Sequence, residues 1–261
     1  HQPDYPLGSP GGKTRKPNPN MDRYRTYLKA QLAELIQGYG PLGILWFDGE
    51  WEEPWTAEYG VDLYTYCRGL QPSIIVNNRV TKGREGMQGR TTAGVFGGDY
   101  DTPEQEVGKF QVDRPWESCI TIGEQWAWKP NEKLKSAPEL IRTLLQCAGG
   151  DGNLLLNVGP MPDGQVEGIQ AERLRELGSW LKRYGKSVYA TCGGPFKPGP
   201  WGVSTRRGRD VYLHVFDWRG QETLSLPAIE ARIVKASLLT KGPVKVLQEN
   251  AVTHVRVAKS A

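Results

Sequence analysis

The sequence predicts an α/β chain in two parts, and three observations carry that reading. Over residues 1–185, amphipathic helices alternate with short apolar runs, as in a parallel sheet or barrel with helices packed on it. Over residues 186–261, short alternating runs are separated by turn residues, as in a small antiparallel β domain. The first part shows only four or five strands, however, whereas an eight-stranded barrel usually needs ~250 residues. Either its sheet is open or a barrel lacks a piece.

Each element has a local cause. Residues 6–20 are rich in Pro, Gly, Lys and Asn and read as a loop. Asn20 can cap a helix over about 21–37, where Tyr24, Tyr27, Leu28, Leu32, Leu35 and Ile36 recur at helical spacing. Gly38 and Gly40 stop it. The run 43–48 (GILWFD) suits a buried strand, followed by an acidic, Trp-rich loop over 49–57. A helix near 58–70 and a strand over about 73–79 (SIIVNNR) come next. The glycine-rich stretch 81–98 reads as a long loop, a feature often tied to function in compact domains. A strand falls near 118–123. Ser136-x-x-Glu139 is a capping box ahead of Leu140, Ile141, Leu144 and Leu145, which starts a helix. The run 153–158 (NLLLNV) is a buried strand, and Ile169, Leu174, Leu177 and Leu181 mark a last amphipathic helix over 167–184. Beyond residue 185, strands are expected over 211–216, 233–239, 244–247 and 252–257.

Composition narrows the function classes. At 261 residues the chain holds one large domain or two small ones, at ~100–200 residues each. Glycine (32) and proline (19) fall short of the ~25–30% that marks low-complexity disorder. No run approaches ~18 apolar residues, so no membrane-spanning helix and no membrane partner are expected. A net charge of +4 is small against 33 basic and 29 acidic side chains, which gives no reason to expect nucleic acid. Cys67, Cys119, Cys147 and Cys192 are widely spaced and His1, His214 and His254 are scattered. Neither a metal site, a cofactor nor a disulfide framework is expected. The absence of an Asn-x-Ser/Thr sequon argues against a eukaryotic secreted glycoprotein. The start lacks an initiator Met and a basic-then-apolar leader, so the chain is expected to begin elsewhere than at a gene's start.

Three side chains stand out. Asp48 ends the run 43–48; strand side chains alternate, so Ile44, Trp46 and Asp48 share one face. A carboxylate at the C-terminal end of a barrel strand sits where such folds keep their chemistry. The plain alternative is that Asp48-Gly49 is a turn. Trp46, Phe47 and Trp51 favour a site, because sugar rings are bound by aromatic faces flanking carboxylates. Glu104, in Asp99-Tyr100-Asp101-Thr102-Pro103-Glu104, reads first as a helix start, with Thr102 as N-cap and Pro103 in the first turn. Paired with Asp48 it would be the second carboxylate of a glycosidase. Arg79 ends its strand as Asp48 does; it is a solvated charge, or a group that binds sugar or carboxylate oxygens and keeps a neighbouring Asp ionised.

Other signals fail. Gly11-Gly12-Lys13-Thr14 resembles the tail of a phosphate loop, but that pattern needs a glycine where Leu7 stands. Arg206-Arg207-Gly208-Arg209 is most simply a solvated turn between strands, and His214 a packed or surface histidine.

With these residues in view, the chain resembles the retaining α-L-fucosidases of glycoside hydrolase family 29. Tyr39-Gly40-Pro41 through Leu45-Trp46-Phe47-Asp48-Gly49 is similar to the family's nucleophile segment. Val76-Asn77-Asn78-Arg79, Gly98 through Glu104, Trp116-Glu117-Ser118-Cys119 and Asn153 through Pro160 are similar to further blocks, in the family's order. His1-Gln2-Pro3-Asp4-Tyr5 is similar to a sugar-binding segment, and the weaker likeness beyond residue 185 is to a C-terminal β-sandwich. The resemblance implies a (β/α)8-like barrel, incomplete in this chain, over residues 1–185, and a β-sandwich domain over 186–261.

The resemblance also implies roles. Asp48 becomes the nucleophile and Glu104 the acid/base, the latter by likeness to one branch of the family. His1, Trp46 and Arg79 would contact the fucose, and Trp126 its rim. The substrate would be a fucosylated glycan, hydrolysed by double displacement with the two carboxyl groups ~5–5.5 Å apart. Trp46, one pleat below Asp48, would pack the methyl corner of the 6-deoxy sugar.

Two departures matter. The family usually shows adjacent histidines where this chain has His1-Gln2, and its first barrel strands, on the order of 100 residues at about thirty per unit, have no counterpart here. Exposed sheet edges in a partial barrel would be closed by self-association or by a complementing chain. The competing readings are a non-catalytic fucose- or glycan-binding remnant and a related retaining glycosidase with another sugar preference.

Overall fold

The computed structural model describes residues 19–91, 96–218 and 220–257. Contacts divide the chain into two compact units, His1–Thr102 and Pro103–Ala261.

In the first unit, helix α1 (Met21–Gly38) starts where expected, the Asn20 side chain accepting a hydrogen bond from the Arg23 amide at 2.9 Å. Strand β1 (Ile44–Leu45) follows, then helix α2 (Ala57–Leu70), capped by Thr56. Strand β2 (Ile75–Val76) pairs parallel with β1, Ile44 opposite Ile75 and Leu45 opposite Val76. Leu32 and Ile36 of α1, Leu63 and Cys67 of α2, and Trp55, Ile74, Val76 and Val80 form the core, with Leu45 and Phe47 packed against it. Arg25 and Lys29 reach Asp62 at 2.5 and 2.8 Å and tie α1 to α2. Gly60 lets α2 touch the chain after β2, because a Cβ there would stand 2.4 Å from the Val80 carbonyl.

Both strands are shorter than the apolar runs predict. Beyond Leu45 the ladder passes to a side chain: the buried Asn77 amide accepts from the Phe47 N–H and donates to the Phe47 carbonyl, both at 2.9 Å. After Asn77 the chain turns into a 3-10 helix over Asn78–Val80, so Arg79 lies in a turn rather than at a strand end. A third extended segment flanks β2, with Tyr100 bridged to Asn77. The expected loop over 81–98 contains a short hairpin, β3 (Arg84–Glu85) and β4 (Arg90–Thr91).

The second unit opens with β5 (Glu117–Thr121), parallel to β6 (Asn153–Asn157) across helix α3 (Ala137–Gly149). Both bonds of the Ser136/Glu139 capping box are present. Helix α4 (Gly168–Tyr184) follows. Strands β7 (Cys192–Gly193), β8 (Gly202–Arg207) and β9 (Asp210–Val215) then form an antiparallel sheet. A second antiparallel sheet takes β10 (Thr223–Pro227), β11 (Val244–Gln248) and β12 (Val252–Val257) in the order β10-β12-β11. Residues 233–239 form no strand: Gln248 accepts from the Ile233 amide at 2.6 Å and donates to the Ala231 carbonyl at 2.9 Å, replacing a ladder. Val203 of β8 packs on Gly149 of α3, so β8 and α3 share one unit. Among the described residues the strands form small separate sheets and no closed barrel, and no helix is long and apolar enough to cross a membrane.

Two expectations follow for stability. Asn77→Ala strands two partly buried backbone groups of Phe47 and is expected to cost about 2–4 kcal/mol, toward the low end of ~1–3 kcal/mol per lost partner because water reaches them in part; urea unfolding checks it. His214 bonds the Thr205 hydroxyl at 3.1 Å, and that hydroxyl donates to the Ser187 carbonyl, so the ring is neutral with its proton on Nε2. Burial pushes the His214 pKa down to about 4, against a raising bond to the Ser187 backbone. The unfolded chain binds this proton first, so stability is full above about pH 6.5 and falls as pH drops toward 4. The loss amounts to about 3 kcal/mol at ~1.4 kcal/mol per unit. Denaturation across pH is expected to show a flatter acid limb for His214→Gln.

Candidate active site

In the first unit, the alternation of residues 44–48 sends Leu45 and Phe47 into the helices and leaves Ile44, Trp46 and Asp48 on the open face. The Asn77 clamp on Phe47 fixes the backbone beside Asp48 on the N-terminal side. Gly49, at φ +106°, occupies a conformation that suits glycine and turns the chain away just after it.

Asp48 meets Arg79 here. Arg79 Nη1 donates to Asp48 Oδ1 at 2.8 Å; the arginine side chain is 3% exposed, the aspartate 50%. The guanidinium lies over the Trp46 ring, 4.7 Å from its centroid, so the cation that holds the carboxylate also stacks on an aromatic face. Arg79 Nε donates to Thr102 Oγ1 at 3.0 Å, and Thr102 donates to Asn78 Oδ1 at 2.8 Å. The Asn78 amide in turn reaches the Gly89 carbonyl at 2.7 Å and Asp101 at 3.2 Å. A buried, fully directed cation thus holds one oxygen of a carboxylate whose other side faces solvent. Such a carboxylate is positioned, charged and accessible, as a nucleophile or a sugar-binding group requires.

A second carboxylate lies beside the first. Glu50 is 7% exposed, and its Oε1 sits 3.5 Å from Arg84 Nη1. Burial pushes its pKa up, against the pull of its own backbone amide and of Arg79 and Arg84; the Asp48 charge adds to the rise. Arg84 Nη2 donates to the Thr102 carbonyl at 3.0 Å, so both arginines converge on Thr102.

In the second unit, Glu104 is half-buried and does not begin a helix. Cys119 of β5 donates to the Pro103 carbonyl at 2.8 Å and accepts from the Gln105 amide at 2.9 Å, which keeps the chain extended through Glu104. Gln105 follows at φ +54°. Trp126 is exposed, on a turn fixed by Glu132, whose carboxylate accepts from the Glu124 and Gln125 amides at 2.6 and 2.5 Å. Asn157 donates to the Trp126 carbonyl at 2.9 Å. His1 lies outside the described residues.

The structure therefore brings Asp48, Arg79 and Trp46 together in the first unit, while Glu104 and Trp126 belong to the second. Sequence reasoning passed over Glu50 and Arg84, named Asn77 only within a run, and read Thr102 as a helix cap. The doubled asparagine before Arg79 is one available signal, since asparagine is a poor strand former and a good partner for backbone groups. Among the described residues no cluster of three or more His, Cys, Asp or Glu is placed to hold a metal ion.

The chain resembles known proteins over most of its length. The family profile described as alpha-L-fucosidase matches residues 1–186. An alpha-L-fucosidase of Branchiostoma floridae is 30% identical over 214 residues, covering 76% of this chain and 45% of that protein. The tissue alpha-L-fucosidase of Homo sapiens is 28% identical over 213 residues, covering 75% and 42% respectively. The chain thus spans less than half the length of these relatives. Among solved structures, a Bacteroides thetaiotaomicron family 29 fucosidase, a trapped covalent intermediate with 2-fluoro-fucosyl fluoride, superimposes with a TM-score of 0.80. It is 27% identical, and the match covers 92% of this chain and 59% of that one. A bacterial fucosidase with a pyrrolidine-triazole inhibitor superimposes with a TM-score of 0.82 at 26% identity, covering 100% and 61%. The chain belongs to the α-L-fucosidase family, glycoside hydrolase family 29.

Proposed function

We propose that the chain is the catalytic part of a retaining exo-α-L-fucosidase, acting on terminal α-L-fucosides of glycans through a covalent fucosyl–aspartate. The observation that carries this reading is the buried Arg79 guanidinium, stacked on Trp46 and bonded at 2.8 Å to the half-exposed Asp48. In the first step an Asp48 oxygen attacks the anomeric carbon while Glu104 protonates the departing oxygen. In the second, Glu104 takes a proton from water, and that water cleaves the ester and regenerates Asp48. Arg79 keeps Asp48 oriented until attack, and its ring partner Trp46 offers an apolar wall to the deoxy corner of the sugar. His1 and Trp126 would bind the sugar and its rim. The fold that goes with this reading is a (β/α)8-like barrel portion over 1–185 and a β-sandwich over 186–261, with the remaining strands supplied by further polypeptide or by association.

A glycan-binding remnant without catalysis is the second reading. Incubation with a 2-fluoro-fucosyl fluoride followed by peptide mass mapping separates the two: an adduct on Asp48 supports the enzyme, and saturable binding without an adduct supports the remnant.

Asp48→Gly is expected to lower turnover on the order of 10⁴-fold with binding of fucose retained, as nucleophile deletions do; residual turnover near the parent level removes Asp48 from the role. Glu104→Ala is expected to lose about 10²–10⁴-fold on fucosides with poor leaving groups and far less on activated aryl fucosides, which need little protonation. Equal losses on both substrate types would leave Glu104 a structural residue at the end of its bridge.

A further inference from the structure

Two consecutive asparagines reach Asp48 by different routes. Asn77 grips the Phe47 peptide and so fixes the backbone that enters Asp48. Asn78 reaches the Asp48 side chain through two intermediaries, Thr102 and Arg79. This second route passes through a hydroxyl whose every bond is determined.

The Asn78 amide is oriented by its neighbours. The Gly89 carbonyl, 2.7 Å from Nδ2, can only accept, so the NH2 group faces it and Oδ1 faces Thr102. Thr102 is 0% exposed. Its hydroxyl meets Arg79 Nε at 3.0 Å, and Arg84 Nε at 3.3 Å, which it shares with its own carbonyl. Arginine does not give up these protons, so the hydroxyl accepts from both and sends its own proton to Asn78 Oδ1 at 2.8 Å. One donor and two acceptor positions are all that a hydroxyl has, and all three are used. The Thr102 backbone is pinned as well, its amide donating to the Gly89 carbonyl at 3.3 Å and its carbonyl accepting from Arg84 Nη2 at 3.0 Å.

A guanidinium is one rigid plane that swings about its Cδ–Nε bond. Fixing the direction of Nε–H stops that swing and thereby places Nη1, which holds Asp48 Oδ1 at 2.8 Å. Both arginines make further contacts besides these; what the neutral hydroxyl adds is direction rather than charge. We propose, resting on the fucosidase reading above, that Thr102 is a positioning residue for the nucleophile. Through Arg79 it sets the rotation of the Asp48 carboxylate, so that Oδ1 is held and Oδ2 is left to attack. Thr102 itself, wholly buried, touches no sugar.

The test follows the rate at which 2-fluoro-fucosyl fluoride labels the complete protein. In that reaction an Asp48 oxygen bonds to the anomeric carbon, the carbon–fluorine bond breaks, and fluoride leaves with the electron pair. Three quantities are read: the final adduct per protein, the rate constant at saturating reagent, and the half-saturating concentration. Thr102→Val keeps the branched shape and removes the hydroxyl. It is expected to reach the parent's final adduct on Asp48 with a rate constant about 10–100-fold lower, since a misplacement of about 1 Å can cost ~10²-fold. Its half-saturating concentration is expected to change little. Thr102→Ser keeps the hydroxyl and is expected to restore most of the rate. Should Thr102→Val not fold, Thr102→Cys is read in the same way, because a thiol is a weak hydrogen-bonding group of similar size.

A parental rate constant without the hydroxyl overturns the inference, even if fewer molecules are labelled, because loss of folded protein lowers the final adduct and not the rate per site. A serine variant as slow as the hydroxyl-free one also overturns it, since packing then sets the rate. So does a loss confined to the half-saturating concentration, which marks sugar binding instead. Each of these leaves the nucleophile assignment standing. Failure of the parent protein to form any adduct on Asp48 brings down the fucosidase reading, and this inference with it.

Discussion

A guanidinium sealed away from water must be satisfied from every side, and the first unit is arranged around that requirement at Arg79. Arginine carries five N–H donors in a rigid plane and does not lose its proton. At 3% exposure its hydration has to be replaced by fixed acceptors and by an aromatic face. Thr102, Asp48 and Trp46 supply them, and Asn78, Gly89 and Asp101 hold Thr102 and its neighbours in turn. The result is a chain of directed bonds that ends on a half-exposed carboxylate. The orientation of that carboxylate is therefore set by buried groups rather than by solvent, which is the physical meaning of a preorganised site.

The brevity of β1 and β2 follows from the same requirement. A regular strand through residue 79 would continue the backbone ladder and send successive side chains to opposite faces. Instead Asn77 takes over the ladder with its side chain, freeing the backbone to turn over Asn78–Val80 and deliver Arg79 toward Asp48. That turn is held from below: Trp55 Nε1 donates to the Val80 carbonyl at 3.0 Å, and Gly60 brings α2 against the same peptide. Helix packing, turn and site are one construction, in which the apolar core fixes where the polar network can begin.

How much of this was legible in the sequence depends on the range of the interactions. Elements set by neighbours in the chain were readable: the Asn20 cap, the Ser136/Glu139 box and the apolar stripe of α4 act within a turn or two. The face shared by Ile44, Trp46 and Asp48 was readable too, because alternation is a local rule. Arg79 in a turn was not, since Asn77 and Asn78 bond to residues 10–30 positions away. Nor was β8, whose buried Ser204 and Thr205 look like surface residues until their bonds to Phe196 and to Ser187 are seen. The run 233–239 had strand texture, but Gln248 takes up its backbone partners. The helix start expected at Thr102-Pro103-Glu104 had good local credentials and lost to the pairing of residues 103 and 105 with Cys119.

Two carboxylates separated by one glycine show why side-chain type alone assigns no role. Asp48 and Glu50 carry the same functional group, Asp48 bonded to Arg79 and Glu50 facing Arg84, and they differ sharply in their access to water. Asp48 can meet a ligand because half of it is outside, and one of its oxygens is held by a direct bond to Arg79. Glu50 is almost wholly buried, and burial works against its charge. Chemistry that consumes a charge at the first position necessarily alters the field at the second.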